Sequence, residues 1–314
     1  MKTVKDCRIV FMGTPAFAVA ILEKLVKENC QVVAVVTAPD KPAGRGMQMS
    51  QSAVKQFALL HNLPVLQPVK LKDPEFLAEL KSFDADIQVV VAFRMLPEAV
   101  WNMPSLGTIN LHASLLPKYR GAAPINWAII NGEKVTGITT FKLQHTIDTG
   151  DILMRKQIQI REDETAGELH DEMMVAGADL VFETLSCYCS GNLLPIPQEE
   201  IMNQLEGNVP EAPKLHTETC KINWEKKSEE VYNLIRGLSP YPTAFTYLNG
   251  KMLKIFKATY EMVANGTSAG QVESDGKSYL RFASTDGWVY IKELQLEGKK
   301  RMLVEDFLRG YRLS

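Results

Sequence analysis

Cysteine is scarce in this chain and badly placed for a covalent framework. The 314 residues carry five cysteines, an odd and scattered set in which Cys187 and Cys189 are the only close pair. One intervening residue fits neither a disulfide scaffold nor a C-x-x-C metal or redox site, so reduced thiols of a cytoplasmic protein are expected. Long hydrophobic runs are also missing: none approaches the roughly 20 residues that cross a bilayer, and no membrane role is expected. The first strand-like run, Cys7–Met12, begins almost at once, leaving no room ahead of it for a signal or transit peptide. The pattern Gly-x-x-x-x-Gly-Lys-Ser/Thr is absent, and Gly13-Thr14-Pro15 stands where Gly-x-Gly-x-x-Gly would follow a first strand. Neither nucleotide hydrolysis nor a nicotinamide cofactor is therefore indicated. Internal repeats and low-complexity tracts are lacking as well.

What is present is a globular composition, 46% hydrophobic and 23% charged, at a length better served by two cores than one. The net charge of −2 hides an asymmetry, about −5 over residues 1–206 and about +3 over residues 207–314. A mildly basic second half is compatible with a phosphate-backbone partner without requiring one.

Up to about residue 190, apolar runs alternate with amphipathic stretches, the pattern of a mostly parallel sheet flanked by helices. Residues 9–12, 32–36, 87–92 and 108–111 read as strands, and Phe17, Ile21, Leu22 and Leu25 mark one helix face after Pro15. Residues 137–143 and 152–160 bracket a turn and read as antiparallel or mixed. Thr165-Ala166-Gly167-Glu168 is a capping box opening a helix to about Cys187. Ser190-Gly191-Asn192 and Pro195-Ile196-Pro197 then punctuate a linker. Beyond it come a helix over 228–238 and short strands over 244–248, 252–260, 279–283 and 288–296, with Asn249-Gly250 and Asp286-Gly287 as hairpin dipeptides. A small β-barrel is the expected outcome. The domains are set at 1–189 and 207–314, with 190–206 as linker.

Three segments could carry chemistry. Asn110-Leu111-His112 leaves a strand at the end where open α/β sheets gather ligands, and strand alternation puts Asn110 and His112 on one face. An amide and an imidazole side by side suit a carbonyl whose oxygen turns negative during attack. Taken alone, a histidine at a strand end more often satisfies a backbone carbonyl. Ile147-Asp148-Thr149-Gly150-Asp151 is composed of turn formers; its single Asp-Thr-Gly lacks the second copy and the fold of an aspartic protease. Ala38–Met47 follows a strand with two glycines and two basic residues, either a surface loop or a phosphate contact.

Together, Met12-Gly13-Thr14-Pro15-x-Phe17-Ala18, the Lys41-to-Gly46 loop, Asn110-x-His112-x-Ser114-Leu115-Leu116-Pro117, Arg120-Gly121-Ala122-Ala123-Pro124 and Asp148-Thr149-Gly150-Asp151 resemble the methionyl-tRNA formyltransferase family, in that family's order. The resemblance implies a Rossmann-like formyltransferase domain followed by a small OB-like β-barrel that holds the acceptor arm of the initiator methionyl-tRNA. It implies 10-formyltetrahydrofolate as co-substrate, no metal, and transfer of the formyl group to the methionyl amine; a monomer is expected. Asn110, His112 and Asp148 would be catalytic, Ser114, Leu115, Leu116 and Pro117 would line the folate site, and Lys41 and Arg45 would approach the tRNA.

The chemistry agrees. A neutral amine attacks the formyl carbon, an oxyanion forms, and the folate nitrogen leaves with a proton. Asn110 and His112 would hold the oxyanion, and Asp148 would manage the amine proton and orient His112. One departure stands out: Ala92-Phe93-Arg94-Met95-Leu96-Pro97 lacks the glycine common in the family, which implies a loop without positive φ and a different backbone path. Arg94 either binds a folate group or faces solvent. The alternatives are a 10-formyltetrahydrofolate hydrolase, an amino-sugar-nucleotide formyltransferase, and a non-catalytic RNA-binding relative. Trp224, Tyr241, Phe245 and Tyr247 would serve the last by stacking bases or else fill a core. Lys254, Lys257, Lys299, Lys300 and Arg301 are candidates for backbone contacts.

Overall fold

The computed structural model describes residues 3–43, 48–205, 207–264 and 266–312. In chain order come β1 (Arg8–Gly13), α1 (Ala16–Lys27), β2 (Gln31–Val36), β3 (Lys41–Ala43), β4 (Gln48–Ser50), α2 (Ala53–Leu60), β5 (Val65–Leu66), α3 (Pro74–Ser82), β6 (Ile87–Val91) and α4 (Glu98–Trp101). There follow β7 (Thr108–His112), β8 (Arg120–Gly121), α5 (Pro124–Ile130), β9 (Val135–Lys142), β10 (Ile152–Gln159), α6 (Ala166–Cys189) and α7 (Gln198–Met202). The chain ends with β11 (Glu211–Ala212), α8 (Thr217–Cys220), α9 (Ser228–Gly237), β12 (Ala244–Leu248), β13 (Lys251–Met262), β14 (Val272–Ser274), β15 (Leu280–Ala283), β16 (Gly287–Leu296), β17 (Met302–Leu303) and α10 (Val304–Gly310). No helix among the described residues is long and apolar enough to cross a membrane.

Two compact units result, and neither is one continuous stretch. The first gathers residues 1–120, 137–158 and 171–210, the second residues 121–136, 159–170 and 211–314. The first is Rossmann-like, built on a seven-stranded sheet of order β10-β9-β7-β6-β1-β2-β5. β1 runs parallel to β2 and β6, β6 parallel to β7, and β7 antiparallel to β9. β6 is buried throughout its length, which is why it reads as a mostly apolar run, its one polar residue, Gln88, accepting from the buried Thr108 hydroxyl at 3.0 Å. Val10, Met12, Ala34, Val36, Leu66, Phe76, Leu80 and Val90 close one apolar face. The strand order reverses between β1 and β6, so the ligand crevice of such sheets falls at their carboxyl ends. Gly13 ends β1 there, and a Cβ on it would lie 2.6 Å from the Ala18 Cβ and 3.1 Å from the Val91 carbonyl. Only glycine lets α1 start this close to the crevice.

The loop after β6 corrects one expectation. Ala92 takes φ +47 without help from glycine, so positive φ is reached in the segment that was expected to lack it. Arg94 donates to the carbonyls of Val69 and Pro68, tying this exposed loop to the segment after β5.

The second unit is OB-like, a curled antiparallel sheet of order β12-β13-β16-β15-β14 with β17 beside β16. Register shifts in β13 between Ile255 and Ala258 bend it. Asn249 and Gly250 both adopt positive φ, as a two-residue hairpin of matching twist requires. α9 lays Val231 and Ile235 into a core with Leu253, Ile255, Phe282, Val289 and Leu294. Trp224 and Phe245 belong to that core, Trp224 stacking on Phe282 at 4.5 Å, whereas Tyr241 and Tyr247 are exposed. α5 joins this unit: Asn126 donates to the Gly237 carbonyl at 2.7 Å, and a Cβ on Gly237 would sit 2.6 Å from Ile130. The capping box forms as read, with the Thr165 amide donating to Glu168 at 2.8 Å and the Glu168 amide to the Thr165 hydroxyl at 3.3 Å.

A left-handed conformation costs a non-glycine residue roughly 1–2 kcal/mol, against about 0.5–1 kcal/mol of chain entropy lost by glycine. Ala92→Gly is thus expected to raise stability by about 0.5–1 kcal/mol in chemical denaturation, and the β-branched Ala92→Val to lower it by more than about 1 kcal/mol.

Candidate active site

The site lies at the carboxyl end of β7. Asn110 pairs in register with Val90 of β6 and Phe141 of β9, and His112 with Thr139 of β9, so alternation turns both side chains to one face. His112 is 7% exposed, and its Nε2 lies 2.8 Å from the Tyr119 carbonyl. A carbonyl only accepts, so Nε2 carries the proton and Nδ1 is the nitrogen left for chemistry. That nitrogen stands 3.8 Å from Oδ2 of Asp148, in the β9–β10 loop. The separation exceeds a direct hydrogen bond and suits an ion pair once Nδ1 is protonated. The carbonyl contact expected of a strand-end histidine is therefore present on Nε2, and Nδ1 faces Asp148. Among the described residues no protein group engages the Asn110 amide, which is half-buried at the crevice.

Unusual backbone creates these approaches. Asp148 has φ +54 and Tyr119 φ +60, the left-handed region that Asp tolerates better than most residues. Gly150 lies so close to β9 that a Cβ on it would come within 1.7 Å of the Lys142 carbonyl. The Lys142 amide donates to the Asp151 carbonyl at 2.9 Å, fixing the far end of the loop. Tyr119 is held in turn by its own amide, which donates to the Pro210 carbonyl at 2.6 Å.

The stretch after His112 is built into the protein. The Ser114 hydroxyl donates to the Lys118 carbonyl at 2.7 Å, and the Thr139 hydroxyl donates to the Ser114 carbonyl at 2.6 Å while accepting from the Leu116 amide at 3.1 Å. Leu116 packs with Phe141 and Ile152, Pro117 is buried, and half-buried Leu115 lies against Gly137. Thr139 is thus a shaping residue that the sequence pattern did not single out. Gln198 is another: buried at the start of α7, it donates from Nε2 to the carbonyls of Asp148 and Gly150 and accepts from Arg120.

Lys41 lies exposed in β3, which pairs antiparallel with β4; Arg45 lies outside the described residues. The base of this pair is tied down. Lys55 donates to the Asp40 carboxylate at 2.6 Å and Gln67 at 2.8 Å, and these bonds, the Lys55 one foremost, hold the Asp40 carboxyl below its ordinary range. In the second unit Lys257, Lys299, Lys300 and Arg301 are exposed, Arg301 pairing with Glu293 at 2.6 Å.

Sheet, crevice and site define a formyltransferase. Residues 7–185 match the Formyl transferase family, and residues 214–312 the Formyl transferase C-terminal domain. The chain is 50% identical over 315 residues to methionyl-tRNA formyltransferase of Bacteroides thetaiotaomicron, covering 99% of this chain and 97% of the relative. It is 51% identical over 311 residues to that of Flavobacterium johnsoniae, covering 98% and 97%. The chain belongs to the methionyl-tRNA formyltransferase family and is an enzyme of formyl transfer. An N-formyltransferase from Helicobacter canadensis, solved with folinic acid and dTDP-3-aminofucose, shares the fold with a TM-score of 0.66 at 20% identity, covering 94% of this chain and 99% of that one.

Gly150→Ala forces a backbone clash and must displace the loop that carries Asp148. A misplacement near 1 Å costs about 10² in rate, so kcat/KM for formyl transfer is expected to fall by about that factor. Gly310→Ala, whose Cβ meets nothing within 4 Å, is expected to leave it unchanged in the same assay.

Proposed function

We propose that this enzyme takes its formyl group from 10-formyltetrahydrofolate and delivers it to the amino group of the methionyl moiety of initiator methionyl-tRNA, in the cytoplasm and as a monomer. The observation carrying the assignment of roles is the His112 ring, held through Nε2 by the Tyr119 carbonyl with Nδ1 turned to Asp148 at 3.8 Å.

The amine nitrogen attacks the formyl carbon, and the C=O pair moves onto oxygen. The Asn110 amide donates to that oxygen, joined by the proton on His112 Nδ1. Asp148 is the counter-charge of the imidazolium before attack, and becomes neutral when it takes the proton that the amine sheds. Collapse re-forms the carbonyl and breaks the bond to the folate nitrogen, which departs with a proton returned from the Asp148–His112 pair. The reaction is a neutral exchange of N–C for N–C, so no external acid or reductant is needed.

The Ser114-to-Pro117 stretch shapes the wall of the folate site through its backbone path, since its side chains are largely committed within the protein. Lys41 sits on a strand whose base is anchored by Asp40, Lys55 and Gln67, which supports a role in approaching the acceptor end of the tRNA; Arg45 is assigned the same role from the resemblance alone. The OB-like unit, with exposed Tyr241, Tyr247, Lys257, Lys299 and Lys300, would hold the acceptor arm. In domain terms, the unit of residues 1–120, 137–158 and 171–210 would supply catalysis, and the unit of residues 121–136, 159–170 and 211–314 the RNA hold.

Purified protein mixed with 10-formyltetrahydrofolate and charged methionyl-tRNA should yield N-formylmethionine on the tRNA and no free formate when tRNA is withheld. Asn110→Ala and His112→Ala should each lower kcat by about 10²–10³, the usual loss of one oxyanion donor. Formate release without tRNA would instead favour a hydrolase, and formylation of an amino-sugar nucleotide would favour that transferase class.

A further inference from the structure

Gln198 is a buried polar side chain near the crevice to which the mechanism above gives no task. It is 2% exposed and opens α7, immediately after Pro197. Its Nε2 donates twice, to the Asp148 carbonyl at 2.9 Å and the Gly150 carbonyl at 2.7 Å. Its Oε1 accepts twice, from Arg120 Nε at 3.1 Å and Nη2 at 2.6 Å. A primary amide has two N–H donors and two lone pairs on its oxygen, and here all four are engaged. Two carbonyls on one side and a guanidinium on the other also fix which end is nitrogen.

We infer that Gln198 is a positioning residue for formyl transfer, setting the Asp148 carboxylate against His112 by clamping the backbone that presents Asp148 to the side chain of Arg120, the neighbour of the residue that holds His112; the inference rests on the catalytic roles proposed above. On one side the amide grips the loop on either side of Thr149, where Asp148 is held at φ +54. On the other it grips Arg120, the residue directly after Tyr119, whose carbonyl holds His112 Nε2. A ring of contacts closes: His112 to Tyr119, Arg120 to Gln198, Gln198 to Asp148, and Asp148 back to His112. Removing the glutamine takes this partner away from two carbonyls and a guanidinium.

The clamp is itself anchored. Ile196 exchanges two backbone hydrogen bonds with Ile152, each 2.8 Å, directly beyond the catalytic loop. Ile201, one turn into α7, packs on Leu116, Phe141 and Ile152. The segment expected to be a linker therefore acts, from Ile196 to Ile201, as a strap across the back of the active site. Neither glutamate nor leucine can replace the amide. Glutamate keeps the acceptors for Arg120 but turns a carboxylate oxygen toward two carbonyls, and leucine offers neither donor nor acceptor.

The test measures steady-state formylation of methionyl-tRNA by wild type, Q198E, Q198L, D148N and the double variant Q198E/D148N, with thermal unfolding of each. Wild-type formylation that falls in D148N upholds the reading on which the inference rests; its absence defeats that reading and not the geometry alone. Given that activity, Q198E and Q198L are each expected to lose about 10–100-fold in kcat, the scale of a sub-ångström to 1 Å misplacement, with KM for tRNA and for folate within about twofold. Because Gln198 acts through Asp148, Q198E is expected to cost less than about threefold further in the D148N background. Wild-type turnover in Q198E, a loss confined to KM, or full additivity with D148N would each overturn the proposal. Should Q198L fail to fold, Q198E, which retains the Arg120 pair, still decides it.

Discussion

An imidazole ring held at one nitrogen and faced by a carboxylate at the other organises this candidate site. The Tyr119 carbonyl fixes the His112 tautomer through Nε2, and the Asp148 carboxylate stands before Nδ1. Those two groups arrive from different parts of the sheet, one on the stretch entering β8 and one on the β9–β10 loop, and both depend on left-handed residues, Tyr119 and Asp148. Strain of this kind persists only where neighbours over-determine it. Here the neighbours are visible: the Pro210 carbonyl on Tyr119, the Lys142–Asp151 hydrogen bond, and the close pass of Gly150 against β9. Lose the convergence and each group keeps its identity but not its use.

The sequence announced the parts of this arrangement whose information is local. Strand alternation alone places Asn110 and His112 on one face, and Thr165 with Glu168 spells out a helix start that the structure forms bond for bond. The two rival readings of His112 could not be separated by spacing; the carbonyl contact forms through Nε2 and leaves Nδ1 turned to Asp148. Asn249-Gly250 likewise carried its turn in its own φ preference.

What stayed illegible was long-range. Gln198 touches Gly150, Asp148 and Arg120 across separations of 48, 50 and 78 residues, and nothing in Pro195-Ile196-Pro197-Gln198 marks it apart from a linker. Thr139 looked like one more β-branched strand residue until its hydroxyl was seen bridging Ser114 and Leu116. Ala92 shows the opposite error, in which the absence of glycine was read as forbidding a conformation that is only costly. In the second unit, Trp224 and Phe245 were equally eligible as core or surface by composition, and only the packing sorts them from exposed Tyr241 and Tyr247.

The interleaving of the two units bears on how the chain emerges during synthesis. α5 finishes at Ile130, yet its partner α9 begins at Ser228, so its apolar side waits for about a hundred residues of further translation before it can be covered. The first unit is likewise incomplete until Pro210 reaches Tyr119. Such pairings raise contact order, which slows folding through the loops that must close first. An enzyme assembled in this way offers no nascent intermediate with a finished active site: the histidine clamp matures only after most of the polypeptide has left the ribosome.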